Sequence, residues 1–254
     1  MTLVIGLDTG GTFTDAALLD SAAGTVLGTG KSLTTREDLS IGVGGAIARV
    51  LEGFDGAPGD IGLVSLSTTL ATNAVVEGVG GRACLVMIGF DETALERADL
   101  ARALGQDPVI FISGGHNADG TPQARLDEPA LRAAIESGRD GVSAYAVAGH
   151  FATRNPEHET RARDMIRELT GAPVTCSHEL SSSLGGPRRA LTALLNARLI
   201  NLLDRLVAAT ESIMAAQGLA CPLMVVKGDG SLLQAEFARS RPVETVLSGP
   251  AASL

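Results

Sequence analysis

The chain has 254 residues, 45% hydrophobic and 19% charged, enough for one large or two small domains with a sizeable buried core. Its net charge of −9 argues against a nucleic-acid surface or an anionic-membrane surface, so any bound anion must be held locally, by backbone amides and a metal. Aromatic residues are only 3% with no Trp, which makes the core aliphatic.

In chain order, residues 2–8, 14–20 and 25–33 read as three strands joined by short small-residue turns, an antiparallel meander or pair of hairpins. Residues 36–53 follow as a helix with Leu39, Ile41, Val43, Ile47, Val50 and Leu51 on a rough helical period. A strand at 61–66, a short helix at 69–77 and a strand at 82–88 come next. Residues 109–113 and 123–126 flank the turn-rich GGHNADGTP, which reads as a hairpin or an exposed loop. Asp127-Glu128-Pro129 opens a helix to about Ser137, with its acidic residues at the positive end of the dipole.

Residues 142–148 form a buried strand, and Asn155 with Pro156 starts a helix to about Leu169. A short strand at 174–176 precedes a long helix over 187–217, for which Gly218 is the C′ residue. Strands at 223–226 and 243–247 lead into KGDGS and SGPAAS respectively. The Ser/Gly/Pro-rich stretch 181–187 is the best domain boundary.

Cys84, Cys176 and Cys221 are odd in number, widely spaced and set in or beside apolar runs, as expected of reduced, buried thiols in a cytoplasmic protein. No CxxC pair and no His/Cys cluster suggests zinc. The N-terminus lacks a basic region and a long apolar stretch, and no run approaches the ~20 residues of a membrane span.

The stretch 6–15, GLDTGGTFTD, carries the chemistry. Asp8 ends a strand, Gly10 and Gly11 permit close backbone approach and convergent N–H groups, and Thr12 and Thr14 add hydroxyls. Asp8 and Asp15 add the hard oxygen ligands that Mg²⁺ prefers. A turn built from residues that simply favour turns is the alternative. GTGKS at 28–32 invites a P-loop reading, but the position where GxxxxGK[ST] needs its first Gly is Thr25, and no helix signal follows, so it is the end of the third strand.

DTGGTFTD resembles the first phosphate motif of the actin-like ATPase superfamily. STTLATNAVVEG (67–78), NPEHE (155–159), SHELSS (from Ser177), VKGDGSLL (226–233) and VLSGPAA (246–252) resemble, in order, segments of the hydantoinase A/5-oxoprolinase family. The resemblance runs from residue 3 to the last. It implies an α/β fold: a ribonuclease H-like (actin-like ATPase) domain over residues 1–183, with a mixed sheet flanked by helices. The start of a second, hydantoinase A domain then covers 184–254.

The implied activity is ATP-dependent hydrolysis of a small cyclic amide, whose carbonyl oxygen is phosphorylated before the ring opens, with ATP and Mg²⁺ (or Mn²⁺) as cofactors. Asp8 is then the catalytic, metal-side carboxylate, with Asp15 a second metal ligand. Gly10, Gly11, Thr12 and Thr14 form the phosphate loop, and Thr68, Thr69, Thr72 and Asn73 line the facing cleft. A helix N-terminus capped by Thr68 or Thr69 is a compatible reading of that segment.

Gly228, Asp229 and Gly230 either touch nucleotide or form a plain turn. His116 and Asp119, in the loop 114–120, either reach substrate or are solvated; His150 and His158 read as structural, and His178 receives no role. Implied partners are a complementary B-type subunit or the remainder of the same protein, with a homo-oligomer possible. The alternatives are an acetone-carboxylase-type subunit or a non-catalytic nucleotide-binding or assembly module. The family carries a second DxGGTSTD motif after SGPAAG. The chain ends at Leu254 before any such motif, with Ser253 in place of Gly, so it is expected to be an N-terminal portion or a short form supplying one phosphate loop.

Overall fold

The computed structural model describes residues 3–35, 37–78, 80–138 and 140–249. The chain divides into two compact units, Met1–Val79 with Leu202–Leu254, and Gly80–Asn201.

In the first unit, β1 (Leu3–Thr9), β2 (Phe13–Asp20) and β3 (Thr25–Leu33) form the antiparallel meander that the sequence predicts. After α1 (Leu39–Leu51), β4 (Ile61–Thr68) pairs parallel to β1, and α2 (Leu70–Glu77) follows. The chain re-enters this unit along α7 (Gly186–Ala216) and adds β9 (Leu223–Val226), parallel to β4, and β10 (Leu232–Gln234), giving the strand order β10-β9-β4-β1-β2-β3. The period-two alternation of β1 decides its packing. Leu3, Ile5 and Leu7 join Ala16, Leu18, Val64, Leu66 and Val225 in one core, closed by Val43, Ala46, Ile47 and Val50 of α1 and Leu203, Leu206, Val207 and Met214 of α7. The alternate residues Val4, Gly6 and Asp8 line a cleft on the other side.

Gly30 explains the P-loop look-alike. It lies in β3 opposite Ala16, and a Cβ there would sit 2.3 Å from the Ala46 carbonyl of α1. The glycine is the spacing between strand and helix.

The second unit is a parallel sheet of β5 (Ala83–Ile88), β6 (Val109–Ile112), β7 (Ala144–Gly149) and β8 (Val174–Cys176), in the order β6-β5-β7-β8. β5 and β7 are buried along their whole length, as a strand covered on both faces must be. One face packs against α3 (Leu100–Leu104) and the first half of α7, the other against α4 (Glu128–Gly138) and α5 (Glu157–Thr170). Asn155 caps α5 through Oδ1, which accepts from the Glu157 amide at 3.0 Å. Gly218 ends α7 as the sequence predicts: its φ is +71°, its amide donates to Ala215 O, and the Leu219 amide donates to Met214 O.

Of the hairpin and the loop left open for GGHNADGTP, the loop is found: residues 123–126 make no ladder, and the segment before them has an isolated bridge between His116 and Pro122. Pro122 has no N–H to offer, and a turn with Gly120 at φ +86° shapes the segment before it. The strand predicted at 243–247 does not form: 243–245 lie in a 3-10 turn, Pro242–Thr245, because Pro242 presets its first position, and 246–247 continue as a turn. Short elements that carry too little periodicity to be read are β10, α3, α6 (Ser177–Leu180), α8 (Ala235–Ser240) and the 3-10 turn Glu92–Glu96. Residues 250–254 of the SGPAAS segment lie outside the described residues. Among the described residues no helix is long and apolar enough to cross a membrane.

Replacing Gly30 by Ala is expected to destabilise the chain by about 1–3 kcal/mol, as overpacking against an immovable carbonyl does. Urea unfolding followed by circular dichroism checks this; an unchanged midpoint would mean that α1 is free to move away from β3.

Candidate functional site

At the end of β1, Asp8 stands directly opposite Asp15 of β2 and beside Ser67 of β4. Cross-strand partners share a face, so two carboxylates are set against each other, which costs stability unless something compensates. The Ser67 hydroxyl donates to Asp8 Oδ1 at 2.8 Å, and Lys31 Nζ lies 2.9 Å from Asp15 Oδ1. Lys31 also sits 4.6 Å above the Phe13 ring. These groups line an open cleft of about 810 Å³ with Gly6, Ala17, Thr29, Ser65 and Val226.

The turn from β1 to β2 is tight, the Gly10 amide donating to Phe13 O at 2.9 Å. A Cβ on Gly10 would lie 3.1 Å from that carbonyl. Gly11 is half-buried and Thr12 exposed, so both are accessible to a ligand. Thr14 differs. Its hydroxyl is fully buried on the α1 side and bonded to Thr34 Oγ1 at 3.0 Å.

The TTLATNA segment spans the end of β4 and the start of α2. Thr68 Oγ1 donates to Thr9 O at 2.9 Å and accepts from the Leu70 amide at 3.0 Å, so its hydroxyl caps the helix start. The Thr69 amide donates to Thr9 O, and the Asn73 amide to Thr69 O. Thr72 Oγ1 accepts from the Leu247 amide at 2.8 Å. Ser248 completes the clasp: its Oγ donates to Thr68 O at 3.0 Å and lies 3.2 Å from the Thr68 amide. Leu247 sits at φ +69°, an uncommon conformation for a branched residue, and it swings the chain back over the site. A Cβ on Gly249 would lie 2.5 Å from Thr69 Cγ2 and 3.7 Å from Asp8 Oδ1.

Ser67, Lys31, Ser248 and Gly249 are therefore site residues beyond those the sequence singles out. The signal for Ser67, Ser248 and Gly249 was the STT and SGP strings themselves; Lys31 carries none, because only strand register brings it to Asp15. Gly228, Asp229 and Gly230 form the β9–β10 turn, with the Lys227 amide donating to Ser231 O. Hydrogen bonds from Ser231 hold the Asp229 carboxyl down at about 2. Gly228 abuts the 244–246 backbone: its amide donates to Glu244 O, and a Cβ would meet Val246 O at 2.3 Å.

In the second unit, NPEHE and SHEL meet through Glu159, which is fully buried. Its Oε1 accepts from the Gly149 amide and Ser177 Oγ, both at 2.6 Å, and its Oε2 from the His178 amide and ring. Buried Arg189 answers it through Ser177 Oγ, Ser183 O and Gly149 O. Glu159, Cys176 and His178 offer ligand atoms within 4.8 Å of one another. Both Glu159 oxygens already accept two bonds, and burial pushes the Cys176 thiol far up. The trio is a packed polar network rather than a metal centre.

With this geometry in view, comparison with known proteins is decisive. The model of the hydantoinase/oxoprolinase N-terminal region matches residues 4–170, and the hydantoinase/oxoprolinase model matches 189–254. The chain belongs to the hydantoinase/oxoprolinase family. It is 28% identical to the caprolactamase alpha subunit of Pseudomonas jessenii, over 98% of this chain and 38% of that protein. It is 27% identical to the acetophenone carboxylase gamma subunit of Aromatoleum aromaticum over the same shares.

The crystal structure of ATP-dependent caprolactamase from Pseudomonas jessenii superposes with a TM-score of 0.82 at 28% identity, over 98% of this chain and 39% of that one. Nucleotide-free acetone carboxylase superposes with a TM-score of 0.79 at 20% identity, over 98% and 39%. The fold is thus that of this family's mixed α/β, actin-like ATPase-type subunits, and the chain spans about 38% of the length of these relatives.

Two outcomes are expected. Ser248→Ala leaves the Thr68 amide without its acceptor and costs about 1–3 kcal/mol in urea unfolding; no change would mean that water replaces the hydroxyl freely. Burial holds His116, His150 and His158 below the usual histidine range, His158 adding to the effect on His116. The native state then binds fewer protons than the unfolded one below about pH 6.5, so the stability present above that pH is lost as pH falls. His158→Gln, which keeps an acceptor for the Gly115 amide, should flatten the pH dependence of the unfolding midpoint.

Proposed function

We propose that this chain is the nucleotide-binding part of an ATP-dependent subunit that activates a small cyclic amide by phosphorylating its carbonyl oxygen before ring opening. The observation that carries this is the Asp8–Asp15 opposition at the mouth of the cleft, beside the Gly10–Gly11 turn and under the Ser248–Gly249 backbone. Like charges placed face to face are compensated most simply by a cation, and two carboxylates with a serine hydroxyl are the hard-oxygen set that Mg²⁺ or Mn²⁺ takes.

Asp8 would hold the metal, with Asp15 as its second carboxylate and Lys31 as the neighbouring positive charge for a phosphate oxygen. Gly10, Gly11 and Thr12 would give amides and a hydroxyl to the phosphates, and Thr69, Thr72 and Asn73 would shape the facing wall at the α2 N-terminus. Thr14 and Thr68 would act through the backbone they brace, and Gly228, Asp229 and Gly230 through the turn they form. Bound Mg-ATP supplies the transferable phosphoryl group, whose developing charge such a site stabilises.

Residues 1–183 and 184–254 would form the family's two domain segments in a cytoplasmic assembly, completed by a B-type subunit or by further chain. Both relatives are subunits by name, which supports a partner. A second reading is ATP-driven carboxylation of a ketone, supported by the nearly equal identity to the acetophenone carboxylase subunit. Both begin with an activated carbonyl oxygen.

Titration calorimetry with Mg-ATP is expected to show binding that weakens at least about tenfold in Asp8→Ala, a loss of about 1.4 kcal/mol or more. Equal affinity in the two proteins would remove the metal role assigned to Asp8.

A further inference from the structure

Four polar residues of the Asp8 cleft fall on one register row of the sheet. β4, β1, β2 and β3 are neighbours, and Ser67, Asp8, Asp15 and Lys31 are paired in succession across them. Directly paired residues share a face, so a hydroxyl, two carboxylates and an ammonium stand in line across the cleft. One oxygen of each carboxylate is engaged within the row. Asp8 Oδ1 accepts from Ser67 Oγ at 2.8 Å, and Asp15 Oδ1 accepts from Lys31 Nζ at 2.9 Å.

Lys31 is steered into this contact from two sides. Phe13 lies two residues before Asp15 on β2, pairs with Leu33, and carries the ammonium 4.6 Å from its ring centroid. The ring face and the carboxylate both attract the cation. The ion pair nevertheless costs little to break. Its side chains are 57% and 52% exposed, and a pair so solvated contributes little by itself. The flexible lysine stem stands on β3, the edge strand of the sheet, so the ammonium can turn away from Asp15 without displacing a strand.

The charges of the row decide what this contact does. Two carboxylates and one ammonium leave a single negative charge uncompensated. A divalent cation drawn to Asp8 and Asp15 meets Lys31 as a like charge, bonded to an oxygen that the cation needs. A phosphate oxygen offers the ammonium another anion, and so removes that conflict.

We propose that Lys31 competes with the divalent cation for Asp15, and passes to a phosphate oxygen when metal and nucleotide arrive together. The site then takes Mg²⁺ weakly by itself and well as Mg-ATP, so metal loading is tied to nucleotide. This regulation rests on the nucleotide reading for the phosphate; the competition at Asp15 rests on the ion pair.

The test uses the full 254-residue chain and two variants, with Mn²⁺ alone followed by water-proton relaxation and Mg-ATP followed by calorimetry. Lys31→Gln removes the charge and keeps a polar stem beside Phe13, whereas Lys31→Arg keeps the charge. Opposite signs are expected: Lys31→Gln binds Mn²⁺ at least about threefold tighter than the wild type and Mg-ATP at least about threefold more weakly. Lys31→Arg is expected to bind Mn²⁺ as weakly as the wild type. A merely structural role for Lys31 moves both affinities in the same direction. Mn²⁺ affinity that is unchanged or lower in Lys31→Gln overturns the competition, and so does an Arg variant that behaves like Gln. Mg-ATP affinity that is unchanged or higher in Lys31→Gln overturns the transfer to phosphate. Any of these results, with Mg-ATP binding still weakened by Asp8→Ala, leaves the nucleotide reading standing. Failure of the wild type to bind Mg-ATP overturns that reading and the transfer with it, while tighter Mn²⁺ binding in Lys31→Gln still upholds the competition.

Discussion

Strand β1 serves two faces with opposite requirements, and the arrangement of the first unit follows from that. Leu3, Ile5 and Leu7 point into an aliphatic core, while Val4, Gly6 and Asp8 point into the cleft. A one-residue slip in pairing would drive Asp8 into the core and Leu7 into water. Burial of the apolar set therefore fixes the register, and the register places Asp8 opposite Asp15 and next to Ser67. The site's geometry follows first from core packing, and the Ser67, Thr68 and Ser248 hydrogen bonds then hold it.

The same unit is completed from distant sequence. β9 pairs with β4 only after the chain has built the second unit and returned along α7, a single helix whose first half packs in one core and whose second half packs in the other. The Ser248–Thr68 and Leu247–Thr72 bonds, each about 180 residues apart in sequence, then tie the returning segment to the α2 N-terminus. These contacts are expensive in chain entropy, and they bring the Gly249 backbone close to Asp8.

In the second unit all four histidines of the chain, His116, His150, His158 and His178, gather in the loops and helix start at the carboxyl edge of the parallel sheet. Glycines with positive φ at 89, 114 and 115 let these loops pass within backbone contact, a Cβ on Gly89 meeting Gly114 O at 2.7 Å. Glu159 and Arg189 brace the same edge from beneath. Their burial is tolerable because the Glu159 oxygens and the Arg189 guanidinium are bonded to backbone and hydroxyl partners, with Ser177 Oγ and Gly149 shared between them.

What the sequence by itself determined was local and strongly periodic: the β1–β2–β3 meander, α1, the long α7 with Gly218 at its end, the Asn155 cap, and the family through its ordered motifs. Those signals depend on neighbours within a turn or two. The strand expected at 243–247 failed because a strand needs a partner and this segment finds none among the described residues. Only the tertiary structure decided which hydroxyls face the cleft. It turned Thr14 into the core and Thr68 into a cap, and it brought Ser67 and Gly249 to Asp8, Lys31 to Asp15 and Ser248 to Thr68. Facing and proximity between residues 60 to 240 positions apart are set by strand register and chain return, which no local pattern encodes.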